Sequence, residues 1–368
     1  AQRQRFRLLR CTSFFRIVEF AAEEATMEGL GLDPENLLDS PLFAQVAFHP
    51  RAETKGSSTV KGAIDGEYSV PARNGKPAAT IGYRLFPLSG GGPIVVHFHG
   101  NAETCCDMDY HIDIFKKAGC SLIAVDYRGF GWSTGKPLLS TLTTDAAELM
   151  AHLPKILTNA NLPADLRVLP MGRSMGATCA VELASSFHER CVGLLIESAL
   201  CNIKTLPMVT QLIMMLGDMG TQLMQMVPDP FRSCDKLRGV TLPALVLHGE
   251  RDETIPVSQG SDLFAAIATA KPGKQLELLP CGHNDMHLLG AYTTLVSAYL
   301  SRVKAHAHAQ PGGSDKSGGT AEAAEDTRPY SEWKVSELKA AIKAAGGDLT
   351  QCIEKADMVR MLEELRLK

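Results

Sequence analysis

The sequence predicts an α/β fold in which a mostly parallel sheet carries helices on both faces. Short apolar runs alternate with longer helical patterns from about residue 79 to about residue 300. The runs are continuously apolar, which is typical of strands that are buried on both faces. In such folds the crossover connections bring the loops at the strand carboxyl ends to one edge of the sheet, where sites form.

Seven strands are predicted, with helices between them. In chain order the strands are 79–86, 93–98, 121–126, 166–171, 192–197, 244–248 and 275–280. The clearest helical patterns are 143–158, 175–187 and 258–270. Each helical pattern follows one apolar run and precedes another, as expected of helical crossovers between parallel strands.

The composition excludes several classes of protein. Of the 368 residues, 45% are apolar and 21% are charged, as in globular proteins. The 37 basic residues are outnumbered by 41 acidic ones, which argues against a generic nucleic-acid binder. No apolar run approaches the roughly 18 residues of a transmembrane segment. We therefore expect the partner to be a small-molecule or acyl substrate.

The ten cysteines contain no CxxC pair. Their spacing argues against a zinc knuckle or a thioredoxin-type site, and we expect neither a metal nor a cofactor. A core-rich chain of this length does not need a disulfide scaffold, so the cysteines are expected to be free thiols in a reducing compartment. The prediction is an intracellular, cytoplasmic protein.

The N-terminal region differs in composition from the rest. Residues 1–16 carry five arginines and no acidic residue, which resembles an organelle-targeting peptide. The alternative is a frayed basic tail, which the return of acidic residues from Glu19 onward favours. We treat residues 1–55 as an N-terminal extension, truncated or targeting, and residues 56–304 as the main domain.

Residues 202–238 interrupt the strand–helix alternation, because they are too long for a simple connection between two strands. They hold six of the fourteen methionines, whose flexible side chains suit a surface that receives varied apolar groups. We expect this insertion to cover a cleft as a lid or an acyl pocket. The alternative is an ordinary helix packed on the core.

Two further segments follow the main domain. Residues 305–328 are small, polar and glycine-rich, as in a flexible linker. Residues 329–368 carry two apolar helical stripes separated by Gly346 and Gly347, which predicts a small helical module.

The strongest chemical signal is the pentapeptide Gly172-Arg173-Ser174-Met175-Gly176, which lies between a predicted strand and a predicted helix. A nucleophilic serine must project from a tight strand-to-helix turn, where flanking glycines avoid a clash with neighbouring backbone. Ser174 is therefore the candidate nucleophile.

A serine nucleophile needs a histidine base and a carboxylate that orients the imidazole. His283 follows the last strand on a loop, whereas His287 is expected inside the next helix, so His283 is the preferred base. Asp252 follows the preceding strand, which produces the chain order serine, acid, histidine that this architecture requires. Three carboxylates are alternatives to Asp252: Glu197 first, then Glu250 and Asp285.

The negative charge that develops on a substrate oxygen must also be stabilised. His99-Gly100-Asn101-Ala102 follows the strand 93–98, and the amides of Asn101 and Met175 can converge on one oxygen. His99 is interpreted as a buried residue that holds this loop.

Five motifs in order resemble the alpha/beta-hydrolase superfamily, in the branch that includes serine aminopeptidase-like proteins and protein depalmitoylases. They begin at His97, Val125, Met171, Leu247 and Gly282 and read HFHGNAET, VDYRGFG, MGRSMG, LHGERD and GHND. The resemblance covers about residues 80–304. It implies the alpha/beta-hydrolase fold, with Ser174 as nucleophile, Asp252 as acid and His283 as base.

Residues 331–366 resemble a SAP-like helical module, in VSELK from Val335 and CIEKADMV from Cys352. Such modules are often read as DNA-binding, but residues 329–368 carry seven basic and seven acidic residues. Phosphate binding needs a positive excess, so a protein partner is the preferred interpretation.

The sequence predicts a serine hydrolase that cleaves an ester, thioester or amide through an acyl-enzyme, with a carboxylic ester or thioester favoured. One alternative is a serine peptidase of the aminopeptidase-like type. A second is a non-catalytic interaction protein that uses the hydrolase scaffold and its C-terminal module.

Overall fold

The computed structural model describes residues 47–89, 92–207, 229–270 and 273–309 continuously, together with single positions and runs of two or three residues elsewhere. The chain divides into two units, residues 1–311 and 312–368. The elements and the site below belong to the first unit. The predicted SAP-like module falls in the second unit and, apart from Leu338 and Val359, lies outside the described residues.

One sheet organises the first unit. Its strands are β1 Ile64–Val70, β2 Ala79–Phe86, β3 Ile94–Phe98, β4 Ser121–Val125, β5 Val168–Arg173, β6 Leu194–Glu197, β7 Ala244–Gly249 and β8 Lys274–Leu279. Their spatial order is β1-β2-β4-β3-β5-β6-β7-β8. Strand β2 runs antiparallel to both neighbours, and strands β3 to β8 pair in parallel. The predicted mostly parallel sheet is confirmed.

Strand β1 is absent from the sequence-based prediction. Side chains near its end alternate between buried and exposed, as expected at a sheet edge with one solvated face. The strand includes Asp65 and Glu67, so it lacks the continuous apolar run that reveals the central strands. Antiparallel pairing with β2 holds β1 in the sheet, and the sequence pattern of β1 does not reveal this pairing.

Helices cover both faces of the sheet, as predicted. In the described part of the chain they are α1 Ile112–Ala118, α2 Leu142–Asn159, α3 Gly176–Ser186, α4 Ser233–Leu237, α5 Val257–Ala266 and α6 Gly290–Ala309. Val96 in β3 belongs to an apolar cluster with α2 and α3, whereas the adjacent Val95 belongs to a second cluster with α1 and α6. Successive strand residues face opposite sides, so each face has its own core. No described helix is long and apolar enough to cross a membrane.

The main domain begins earlier than its predicted boundary at residue 56. The Gly131 amide donates to the Arg51 carbonyl at 2.8 Å, and the Glu53 amide donates to the Gly131 carbonyl at 3.0 Å. Phe48 is buried in the core and its ring packs edge-on against Phe130. The residues before β1 show no helical or strand periodicity, so the sequence alone does not predict that they pack on the domain.

The domain also ends later than predicted. Helix α6 continues to Ala309, into the segment that the sequence assigns to the linker 305–328. Three of the first five linker residues are alanine, the best helix former, so they extend a helix that packing has already nucleated.

Cys201 and Cys234 form a disulfide, with their Cα atoms 5.9 Å apart. The expectation of free thiols is therefore wrong for this pair. The two cysteines are 33 residues apart and lie at the two ends of the insertion 202–238, so no local spacing identifies them. Six other described cysteines are free thiols, as expected, and the intracellular location stays a prediction.

Much of the insertion, including five of its six methionines, lies outside the described residues. Val209 is buried in the core, and Met214 is 70% exposed. The lid or acyl pocket stays a prediction.

Candidate active site

Ser174 lies on the sharp turn between β5 and α3. Its φ of 55° is in the left-handed region, which costs a non-glycine residue about 1–3 kcal/mol. The Ser174 amide donates to the carbonyl of Glu197 at 2.8 Å, which holds the turn against the end of β6. Ser174 is 7% exposed, so most of its surface is shielded from solvent.

The two glycines of the pentapeptide are required by close backbone contacts. A Cβ atom on Gly172 would lie 2.3 Å from the carbonyl oxygen of Gly176, and one on Gly176 would lie 2.2 Å from that of Phe98. The obstructing atoms are backbone and have no rotamer to change. The turn therefore packs the start of α3 directly against the end of β3.

We expect Gly176→Ala to destabilise the fold by about 1–3 kcal/mol, because α3 must move away from β3 to admit the methyl group. Urea denaturation measures this change. Gly290→Ala is the matched control, because a Cβ atom at Gly290 meets nothing within 4 Å. Equal stability of the two variants would contradict the close contact at Gly176.

The structure brings Ser174, His283 and Asp252 together from three separate loops. Nε2 of His283 lies 3.0 Å from Oγ of Ser174. Nδ1 of the same ring lies 2.7 Å from Oδ2 of Asp252. A ring whose Nδ1–H donates to a carboxylate presents Nε2 as the acceptor, so the imidazole can take the serine proton.

The local chain holds Asp252 as a carboxylate. Its Oδ1 accepts from the amides of Thr254 and Ile255 at 2.9 and 2.8 Å. Burial alone raises the pKa of Asp252, but the hydrogen bond and charge of His283, with the two amides, lower it below its ordinary value. Asp252 is therefore ionised at neutral pH and can orient the imidazole.

Glu197, the strongest competitor of Asp252 for the role of acid, has a different partner. The hydroxyl of Tyr292 donates to Oε1 of Glu197 at 2.8 Å, and the carboxyl group is buried. This burial raises the pKa of Glu197 to about 7, against the effects of Tyr292 and of the Arg173 charge. The carboxylate beside the His283 ring is thus that of Asp252.

The two weaker acid candidates and the second histidine also lie apart from the serine–histidine contact. Oδ1 of Asp285 accepts from the Gly282 amide at 2.8 Å, which shapes the turn that carries the histidine base. Glu250 is exposed. The ring of His287 packs on His111, with ring centroids 5.0 Å apart.

Residues 99–104, here called the Asn101 loop, follow β3 and face the start of α3. The amides on both sides of Asn101 are engaged: that of Gly100 donates to Glu103 at 2.7 Å, and that of Ala102 donates to Oδ1 of Asn101 at 3.1 Å. Among the described residues, the amides of Asn101 and Met175 donate to no backbone carbonyl. These two N–H groups are therefore available to a substrate oxygen.

Asp126 anchors the base of the Asn101 loop. Its Oδ1 accepts from the amide of Cys105 at 2.7 Å and lies 3.2 Å from Nε2 of His99. The hydroxyl of Tyr127 donates to the carbonyl of His99 at 2.6 Å. His99 is 1% exposed and its ring packs against the rings of Tyr127 and Phe130, so it supports the loop from the core.

The segment before β1 also fixes the Asn101 loop. The side-chain amide of Asn101 donates to the carbonyl of Ala47 at 2.8 Å, and its oxygen accepts from the His49 amide at 2.9 Å. The guanidinium of Arg51 donates to the hydroxyl of Thr104 at 2.9 Å. A segment that the sequence places outside the main domain thus fixes the loop of the site.

A serine after β5, a carboxylate after β7 and a histidine after β8 define the arrangement of an alpha/beta-hydrolase. A family model described as "Serine aminopeptidase, S33" matches residues 92–229. The chain is 27% identical over 205 residues to human alpha/beta hydrolase domain-containing protein 17B, a match that covers 55% of this chain and 65% of that protein. It is 26% identical over 215 residues to the protein bem46 of Schizosaccharomyces pombe, covering 57% and 67%.

Solved structures show the same fold. A Pyrococcus furiosus esterase superposes with a TM-score of 0.52 at 17% identity, covering 69% of this chain and 97% of that one. Acetyl xylan esterase 1 from Thermoanaerobacterium has a TM-score of 0.50 at 18% identity, covering 70% and 89%. The chain has the alpha/beta-hydrolase fold, as its motifs predict.

Proposed function

We propose that this protein is a serine hydrolase that cleaves carboxylic esters or thioesters through an acyl-enzyme formed on Ser174. The observation that carries the proposal is the continuous hydrogen-bond chain from Ser174 through His283 to Asp252. Both links are within hydrogen-bond distance, so the nucleophile and its base are held in a productive arrangement.

The proposed reaction begins with proton transfer from the Ser174 hydroxyl to Nε2 of His283 as the serine oxygen attacks the acyl carbon. The oxyanion accepts hydrogen bonds from the amides of Asn101 and Met175, and Asp252 stabilises the imidazolium. Collapse of this intermediate expels the alcohol or thiol, which takes the proton from His283. Water then attacks the acyl-enzyme in the same way and releases the acid.

The choice of ester or thioester over an N-terminal peptide rests on the carboxylates around the site. An aminopeptidase needs a carboxylate that can pair with the substrate ammonium group. In the described loops, Asp252 is engaged by His283, Asp126 by Cys105, and Glu197 by Tyr292. Glu103 is paired with Arg173, and Oδ1 of Asp285 accepts from the Gly282 amide, whereas Glu250 and Glu253 on the loop after β7 are exposed.

The same geometry argues against a purely non-catalytic role. A protein that uses the scaffold only for binding has no need to hold Ser174, His283 and Asp252 within hydrogen-bond distance of one another. Here His283 keeps both contacts, although its partners lie 31 and 109 positions away in the sequence. A protein partner for the predicted module at 329–368 remains compatible with catalysis and stays a prediction.

A substrate panel tests the proposed function. We expect the full chain to hydrolyse p-nitrophenyl acetate and an acyl thioester, and to hydrolyse an aminoacyl p-nitroanilide much more slowly. The physical reason is that the buried carboxylates of the site loops, Asp252, Asp126 and Glu197, already have hydrogen-bond partners and are not free to hold the ammonium group of the anilide. Faster turnover of the aminoacyl anilide than of the ester would favour the peptidase alternative.

A further inference from the structure

The side chain of Arg173 connects the turn of Ser174 to two other loops. Its Nη1 donates to a carboxylate oxygen of Glu103 in the Asn101 loop. Its Nη2 donates to the carbonyl of His283 at 2.7 Å and to Oδ1 of Asn284 at 2.9 Å. Residues 282–285 are here called the His283 loop. One planar group therefore bonds to both loops from the residue that precedes the serine.

Glu103 links Arg173 to the backbone next to Asn101. Its Oε2 accepts from the amide of Gly100 at 2.7 Å. A Cβ atom on Gly100 would lie 2.8 Å from Nη1 of Arg173 and 3.0 Å from Oε2 of Glu103. The guanidinium thus packs against the backbone of Gly100, which is directly followed by Asn101.

The chemistry of this contact requires arginine rather than another cation. The Arg173 side chain is 14% exposed, and its hydrogen bonds to Glu103 and to the His283 carbonyl are partly buried. Its acceptors are a carboxylate, a backbone carbonyl and an amide oxygen, which lie in different directions around one plane. The fixed fork of a guanidinium reaches them together, whereas an ammonium group is a compact point charge on a flexible stem.

We propose that Arg173 is a positioning residue that sets the His283 loop and the Asn101 loop in register with Ser174. The inference rests on the proposed function and adds to it a residue that touches none of the reacting atoms. Without the guanidinium, the imidazole and the Asn101 amide lose a group that bonds to both of their loops. A displacement of about 1 Å in such a site lowers the rate roughly 10²-fold.

The test compares full-length wild-type protein with Arg173→Met, Arg173→Lys and the matched control Arg167→Met. Arg167 lies just before β5, at the opposite end of the strand from Arg173, and its guanidinium also donates to a carbonyl, that of Cys191 at 2.9 Å. Hydrogen exchange of peptides that cover the two loops is measured together with kcat and KM for p-nitrophenyl acetate.

We expect both loops to exchange faster in Arg173→Met, with kcat lowered roughly 10²-fold and KM little changed. Arg173→Lys should lose less, because lysine keeps the ion pair with Glu103 but not all of the hydrogen bonds. Arg167→Met should keep wild-type exchange in both loops and wild-type kcat. Unchanged exchange in either loop, wild-type kcat in Arg173→Met, or an equal loss in Arg167→Met would overturn the inference.

Glu103→Gln keeps the test decisive if Arg173→Met does not fold. The glutamine retains an oxygen for the Gly100 amide but loses the charge that pairs with Arg173. Faster exchange confined to the Asn101 loop and a smaller loss of kcat are expected, and wild-type behaviour in both would overturn the inference.

The failure of this inference is distinguishable from the failure of the proposed function. If a fluorophosphonate does not label the wild-type protein, the proposed function is wrong, and the exchange measurements still decide whether Arg173 holds the two loops. If the wild-type protein is labelled but Arg173→Met matches it in exchange and kcat, the positioning role alone is wrong.

Discussion

Replacing Ser174 with alanine will abolish fluorophosphonate labelling and lower kcat for p-nitrophenyl acetate by a factor on the order of 10⁴–10⁶. The hydroxyl that lies 3.0 Å from Nε2 of His283 is the only group that the variant loses. Alanine fits the same turn, because the conformation at this position already carries a Cβ atom. We therefore expect the melting temperature to stay close to that of the wild-type protein.

Ser198→Ala is the matched control for this experiment. Ser198 is also buried, also has a positive φ (43°), and lies just after the neighbouring strand β6. Its hydroxyl has no hydrogen-bond partner among the described residues. Wild-type labelling and kcat are expected for Ser198→Ala. Labelling of Ser174→Ala at the wild-type rate would place the nucleophile elsewhere.

Asp252→Asn is expected to lower kcat by a factor on the order of 10⁴, because the asparagine amide favours the wrong tautomer of His283. The side chain keeps nearly the same shape, and an oxygen that faces the amides of Thr254 and Ile255 can still accept their hydrogen bonds. The loss should therefore appear in kcat rather than in gross folding, which circular dichroism can check.

Glu197→Gln is the control for the acid. Because the hydroxyl of Tyr292 donates to this carboxyl group, a glutamine oxygen can accept the same hydrogen bond. Only a small change of kcat is expected. A large loss in Glu197→Gln and a small one in Asp252→Asn would mean that the orienting acid lies after β6 instead of β7.

The charge of Asp252 also links stability to pH. Its pKa is lowered in the folded chain, so its ionised form stabilises the fold above the ordinary value of 3.8. This stabilisation is lost as the pH falls through the lowered pKa. Asp252→Asn should therefore reduce the dependence of the unfolding free energy on acid pH, which urea denaturation at a series of pH values can measure.

Elements with a strong local signal were predictable from the sequence. Strands β3 to β7 each contain a run of apolar residues, because they are buried on both faces, and the pentapeptide around Ser174 lies at a strand-to-helix junction. Strand β1 was not predictable, because an edge strand with charged side chains has no continuous apolar run. The disulfide between Cys201 and Cys234 was not predictable either, because its partners meet only after the insertion is folded back.

The sequence by itself determined the order and spacing of the chemical groups: serine, acid and histidine, each just after an apolar run. These properties are local, because strand burial and tight turns leave a pattern within a few residues of the chain. Only the tertiary structure decided which carboxylate faces His283, how residues 47–53 hold the Asn101 loop, and that Arg173 bridges two loops. Those contacts join residues 31 to 110 positions apart, and their side chains meet only where the strand ends converge.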